Sequence, residues 1–255
     1  MDTIRQVNSR GDNGETVQGL YVTDACGNAF GWMNNRDVAK TRQFLLDKLA
    51  QFRSATKSNQ TQIPSGPGGQ PTPPPNTAIL RIYERIMPVP KGADPANENV
   101  QFDHFWLLSA EIQQLRNGVV PPTLPIRLCR FVFNDAVRGE PDMWTQSEIR
   151  KVEFSAEKKH DKVVLNGKFA MWTNDRKRAL DGSMKAEISF SGDRVTDFKG
   201  VADTVAMGQS TYTPNPPQGA FPLKFAFILA PKDGRTVLPQ ATFYGNEYLT
   251  GKPNR

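Results

Sequence analysis

Two periods divide the chain. Gly19-Leu20-Tyr21-Val22-Thr23-Asp24 and Ala29-Phe30-Gly31-Trp32-Met33 are short β-rich runs separated by Ala25-Cys26-Gly27-Asn28, where Gly-Asn accepts positive φ at little cost, so they predict a hairpin. Asn34-Asn35-Arg36-Asp37 then supplies capping side chains, and Val38, Thr41, Phe44, Leu45, Leu46, Leu49 and Phe52 recur at spacings of three and four, which predicts an amphipathic helix from Asp37 to Phe52. Much later the period falls to two. Leu80, Ile82, Glu84 and Ile86 share one strand face. Ile126, Leu128, Arg130 and Val132 alternate with Arg127, Cys129, Phe131 and Phe133, and the same alternation runs through 150–158, 163–172, 184–190, 195–207 and 221–230, with a last strand expected at 242–248. Gln101–Leu108 is strongly apolar-aromatic and leads into a short helix with Ser109 at its start and Gly118 at its end. Repeated one-sided burial between Gly, Asp and Asn turns predicts a mainly β, α+β chain. Its C-terminal part should be an antiparallel barrel or sandwich, preceded by a small hairpin-helix unit.

Composition adds a boundary. Residues 63–76 hold six prolines and three glycines in fourteen positions, a stretch that cannot make ladder hydrogen bonds. The expected organisation is a hairpin-helix unit over 1–62, a linker over 63–76 and a main β-rich domain over 77–255. A hairpin and one helix cannot bury both faces, so the first unit should dock on the later domain or on another chain, and self-association is expected as one use of it. Leu20–Phe52 resembles the second half of a thioredoxin fold, a hairpin followed by a terminal helix. No Cys-x-x-Cys is present, so that family's redox chemistry does not follow, and Cys26 has no resolving thiol near it in sequence.

The net charge of +6 shrinks in meaning when divided. Residues 126–255 carry 20 of the 32 basic and 15 of the 26 acidic residues, and the densest cluster, Arg176-Lys177-Arg178, lies between Asp175 and Asp181. No nucleic-acid partner is expected from such a compensated loop. No apolar stretch is long enough to span a membrane, and the first residues lack a signal-peptide core. A soluble protein is expected, either cytoplasmic or secreted or periplasmic after removal of a signal peptide.

Candidate chemistry is sparse. Two cysteines and two histidines, His104 and His160, do not furnish a metal centre, and no Gly-x-Ser-x-Gly, Gly-x-Gly-x-x-Gly or P-loop is present, so no metal or cofactor is expected. His160 stands in a charged turn. His104 follows Asp103 among Phe102, Phe105 and Trp106, a setting able to tune an imidazole, although adjacent strand residues point to opposite faces. Glu140 and Asp142, two apart in a Gly- and Pro-bounded loop, are a second pair of candidate acids. Trp144, Phe169 and Trp172 are candidates for lining a ligand cavity, with Tyr212–Gly219 a rigid loop over one rim. The first expectation is a non-enzymatic binding or structural protein, holding a small apolar or carbohydrate ligand. The alternative is a hydrolase using His104 with Asp103, Glu140 or Asp142.

Overall fold

A computed structural model describes residues 19–24, 29–35, 37–54, 72–88, 100–232 and 238–252. The chain divides into two compact units, residues 1–70 and 71–255. In the first, β1 (Leu20–Thr23) pairs antiparallel with β2 (Ala29–Met33), in the register Leu20 to Met33 and Tyr21 to Trp32. The turn that joins them, with Cys26, lies outside the described residues. Helix α1 (Val38–Ser54) is capped by Asp37, whose Oδ1 accepts the Lys40 N–H at 2.9 Å. Phe52 of α1 meets Phe30 of β2 edge-on at 5.6 Å. That contact uses little of the helix's apolar stripe: Leu45, Leu46, Leu49 and Phe52 all remain more than two-fifths exposed.

The second unit is built on one seven-stranded sheet: β3 (Ala78–Ile86), β4 (Val100–Leu107), β5 (Ile149–Lys159), β6 (Lys162–Trp172), β7 (Ala179–Ser191), β8 (Arg194–Met207) and β9 (Ala220–Leu229). The spatial order is β4-β3-β9-β8-β7-β6-β5, with every pair antiparallel. Register fixes the faces. Leu80, Phe105 and Leu229 share one face, as do Ile82 and Phe227; Leu165, Ala186 and Gly200 continue it across β6, β7 and β8. This face is the core, and the other carries Lys168, Ser183, Asp203 and Lys224 in one cross-strand row. The alternation expected from the sequence is therefore present, with one change of architecture. The sheet is open, ending at β4 and β5, and is not closed into a barrel.

Helices, rather than a second sheet, supply the covering layer. They are α2 (Ser109–Arg116), α3 (Thr123–Phe131) and α4 (Asn246–Thr250), with 3-10 turns at Gln146–Glu148 and Gln240–Tyr244. Two expected strands are corrected here. The segment after Leu124 is the helix α3: Leu124, Leu128 and Phe131 sit at helical spacing, and Pro125 falls in the first turn, where its missing N–H costs nothing. Leu124, Pro125 and the run Arg127–Phe131 are buried, so the polar stripe of Thr123, Arg127 and Arg130, which would face water on a surface helix, is here turned largely into the core. The run 242–248 is likewise a 3-10 turn and helix, broken at Gly245, where φ is 56°.

Arginines fasten these layers. Arg130 Nη2 donates to Glu247 at 2.7 Å, while its other nitrogens reach the carbonyls of Trp144 and Gly251, tying α3 to α4. Arg138 pairs with Asp135 and donates to the carbonyls of Thr213, Pro214 and Gly208, holding the 208–219 loop. At Gly208, φ is 81° and an added Cβ would stand 1.8 Å from the Lys177 carbonyl oxygen, so only glycine lets the loop leave β8 there.

Candidate functional site

Acids on the core face of a strand need an explanation, and β3 and β4 supply two. Glu84 continues the stripe of Leu80 and Ile82, so its carboxyl points under the sheet, where it is buried. Its Oε1 accepts the Ala136 N–H at 2.9 Å. Burial raises its pKa well above the ordinary carboxylate value, the nearby Asp135 charge adds to this, and the N–H groups of Ala136 and Val137 oppose it in part. Asp103 lies one register step away, since Ile82 faces Asp103 and Glu84 faces Gln101. Its carboxylate accepts the His104 N–H at 2.7 Å and the Gln240 N–H at 3.2 Å; burial pushes its pKa up to about 6. Both acids line a cavity of about 30 Å³ with Phe131, Asn134, Met143 and Gln240, which has room for a water or two and for no larger ligand.

These bonds make the pair anchors for two crossing segments, 134–138 and 238–244. They also make the fold sensitive to pH. An acid whose pKa is raised in the fold costs stability while ionised; the cost is full above the folded value and gone below the ordinary one. For Asp103 that window runs from about 6 down to 3.8, and the gain across it is at most about 3 kcal/mol. Asp103→Asn is expected to flatten the rise in urea midpoint between pH 7 and pH 4.5. Parallel profiles for the two proteins would show that Asp103 does not titrate in this window.

The residues singled out from the sequence are scattered. His104 is buried on the face opposite Asp103, and its Nε2 lies 3.3 Å from Arg81 Nε, which donates to it. The lone pair a general base would use is thereby engaged, and the only bond from Asp103 to His104 is to its backbone. Glu140 forms a β-bridge with Tyr212 in the exposed loop, and Asp142 accepts the N–H and hydroxyl of Thr211 at 3.0 Å, while Pro141 between them borders the cavity beside Glu84 and Asp103. His160 occupies the β5–β6 turn with φ 57°. Trp144 is buried, its Nε1 donating to the Phe133 carbonyl at 2.8 Å and its ring 3.8 Å from the Arg178 guanidinium carbon. Phe169 stacks on Phe133 with centroids 4.0 Å apart. Trp172 lies on the other face of the sheet, under the guanidinium groups of Arg150 and Arg176. The space beside Trp144 is about 10 Å³, too small for one water, so this aromatic interior is filled by its own side chains. Cys129 is a free thiol whose pKa is raised by burial.

Space of ligand size lies at the surface. One groove of about 720 Å³ opens where the helical layer leaves the end of the sheet. Ala78, Ile79, Ile112, Val195 and Leu229 form its apolar lining, and Ser109, Gln113, Ser191, Asp193, Arg194 and Lys232 bring polar groups to it. A second recess of about 690 Å³ lies along β5 to β8, bordered by Asn166, Lys168, Ser183, Lys185 and Asp203. There the charges are largely answered across strands, as in the 2.7 Å pair of Lys224 with Asp203.

No protein family, curated protein or solved structure matches this chain. The likeness of Leu20–Phe52 to part of a thioredoxin fold rests on the order of hairpin and helix. Sequence reasoning missed Glu84 and the groove for different reasons. Glu84 had a signal, a lone carboxylate within the apolar stripe Leu80, Ile82, Ile86. The groove had none, because its lining comes from four separated segments. Among the described residues no helix is long and apolar enough to cross a membrane, and no group of three His, Cys, Asp or Glu side chains is placed to hold a metal ion.

Proposed function

We propose that this chain is a non-enzymatic binding protein that seats a small ligand in the groove bordered by α2, the start of β3, the β7–β8 turn and the end of β9. The observation that carries this reading is the contrast in volume: about 720 Å³ in that groove against about 30 Å³ beside the buried acids. An apolar lining with a few polar groups at its margin suits a ligand with an aliphatic body and a polar end. The position of His104, engaged by Arg81 and turned away from Asp103, favours binding over hydrolysis. Amide shift mapping with decanoate and with octyl glucoside tests it. Shifts are expected at Ile79, Ile112, Val195 and Leu229. Their absence with both probes overturns the assignment.

A second reading has its own observation. The apolar stripe of α1, with Leu45 at 42% and Leu46 at 49% exposure, favours self-association through the first unit. Light scattering after size exclusion is expected to show a mass above 28.4 kDa that falls with Leu45→Lys. A monomer at every concentration removes this reading.

A further inference from the structure

Resting on the groove as the ligand seat, we infer that its ligand is anionic, an aliphatic chain ending in a carboxylate or a similar oxyanion. The argument is one of charge complementarity. Among the described residues, three charged side chains line the groove: Asp193, Arg194 and Lys232. Asp193 is already paired with Arg116, in the last turn of α2, so its charge is answered from within the protein. Arg194 and Lys232 form no ion pair among the described residues. They come from two different elements, the first residue of β8 and the segment after β9, and both border the same apolar lining of Ile79, Val195 and Leu229.

A neutral glycoside would meet the same apolar lining and leave both cations unanswered. An aliphatic carboxylate would bury its chain on the lining and pair its head with the guanidinium or ammonium, which are donors only.

Isothermal titration of the full chain with decanoate and octyl glucoside, at low and at physiological salt, tests this. Decanoate is expected to bind about tenfold more tightly than octyl glucoside at low salt, with the margin shrinking as salt rises. The double substitution Arg194→Gln, Lys232→Gln should erase the margin, and Arg194→Lys, Lys232→Arg, which keeps both charges, should retain most of it. Equal affinity for the two probes, or a margin that survives the Gln pair, overturns the anionic ligand and leaves the groove as a seat. Failure of both probes to bind overturns the groove assignment itself.

Discussion

Replacing Arg127 by methionine is expected to lower the stability of the second unit by about 3–5 kcal/mol, because it strands a buried carboxylate. Arg127 is wholly buried, with its guanidinium 4.6 Å from the centre of the Phe105 ring and 4.9 Å from that of Tyr248. Each nitrogen is used: Nη1 donates to Glu111 at 2.6 Å, Nε to the Tyr248 carbonyl at 2.6 Å, and Nη2 to the Trp106 carbonyl at 2.9 Å. Glu111 in turn accepts the Leu108 N–H and the Thr123 hydroxyl, so one ion pair joins β4, α2, α3 and α4. Methionine fills most of the volume yet offers no donor, leaving Glu111 and two carbonyls unanswered. The double change Arg127→Met, Glu111→Leu should recover a large part of the loss, since an apolar pair of similar volume often equals a buried ion pair. Urea unfolding followed by tryptophan fluorescence measures both. A loss below about 1 kcal/mol for the single variant would mean that water or rearrangement rescues Glu111, contrary to its 2% exposure.

Phe133→Ala should cost a similar amount, about 3–5 kcal/mol, through a different term. Phe133 is fully buried, stacked on Phe169 with planes 8° apart and set edge-on to Phe225 at 5.4 Å and Phe227 at 6.2 Å. Its ring fills the middle of the layer between the helices and the inner face of β6 and β9. The surrounding strands are held in register by long antiparallel ladders, so the void is expected to stay open rather than collapse. Phe133→Leu, which keeps most of the volume, should cost less than half as much. Equal losses for the two would shift the explanation from volume to aromatic geometry, and a loss under about 1 kcal/mol for the alanine would show that the site relaxes.

The strands of the second unit were legible because each has one wet and one dry face. Val163, Leu165, Phe169 and Met171 of β6, and Met184, Ala186 and Ile188 of β7, alternate inward with less buried residues such as Asn166, Lys168, Lys185 and Glu187 outward, and that period survives in the amino acids themselves. The hairpin and α1 were legible from local signals, the spacing of three and four in the apolar residues of α1 and Asp37 marking its start. Helix α3 was not: Thr123, Arg127 and Arg130 fall at helical spacing, but over so short a run the alternation of Ile126, Leu128, Arg130 and Val132 fits a strand as well. The open sheet was also invisible, since closure depends on whether β4 meets β5, and neither strand's pattern reports on its partner.

The candidate site divides in the same way. Asp103 and His104 stood out as neighbours, and strand geometry already placed them on opposite faces; the structure shows that separation and gives each a separate partner, Gln240 for one and Arg81 for the other. Trp144 and Phe169 stood out as aromatic, but whether such rings border space or fill it depends on what packs against them, here Arg178 and Phe133.

By itself, the sequence determined the mainly antiparallel β character, the small hairpin-helix unit and the Pro- and Gly-rich stretch. All of these are carried by composition or by residues a few positions apart. The tertiary structure alone decided that Arg127 and Glu111 are core residues, that Glu84 and Asp103 share a small cavity, and that space for a ligand lies at the margin of the sheet rather than within it. Burial and electrostatics depend on groups brought together from distant parts of the chain, such as Arg127 and Tyr248, and local periodicity does not encode those encounters.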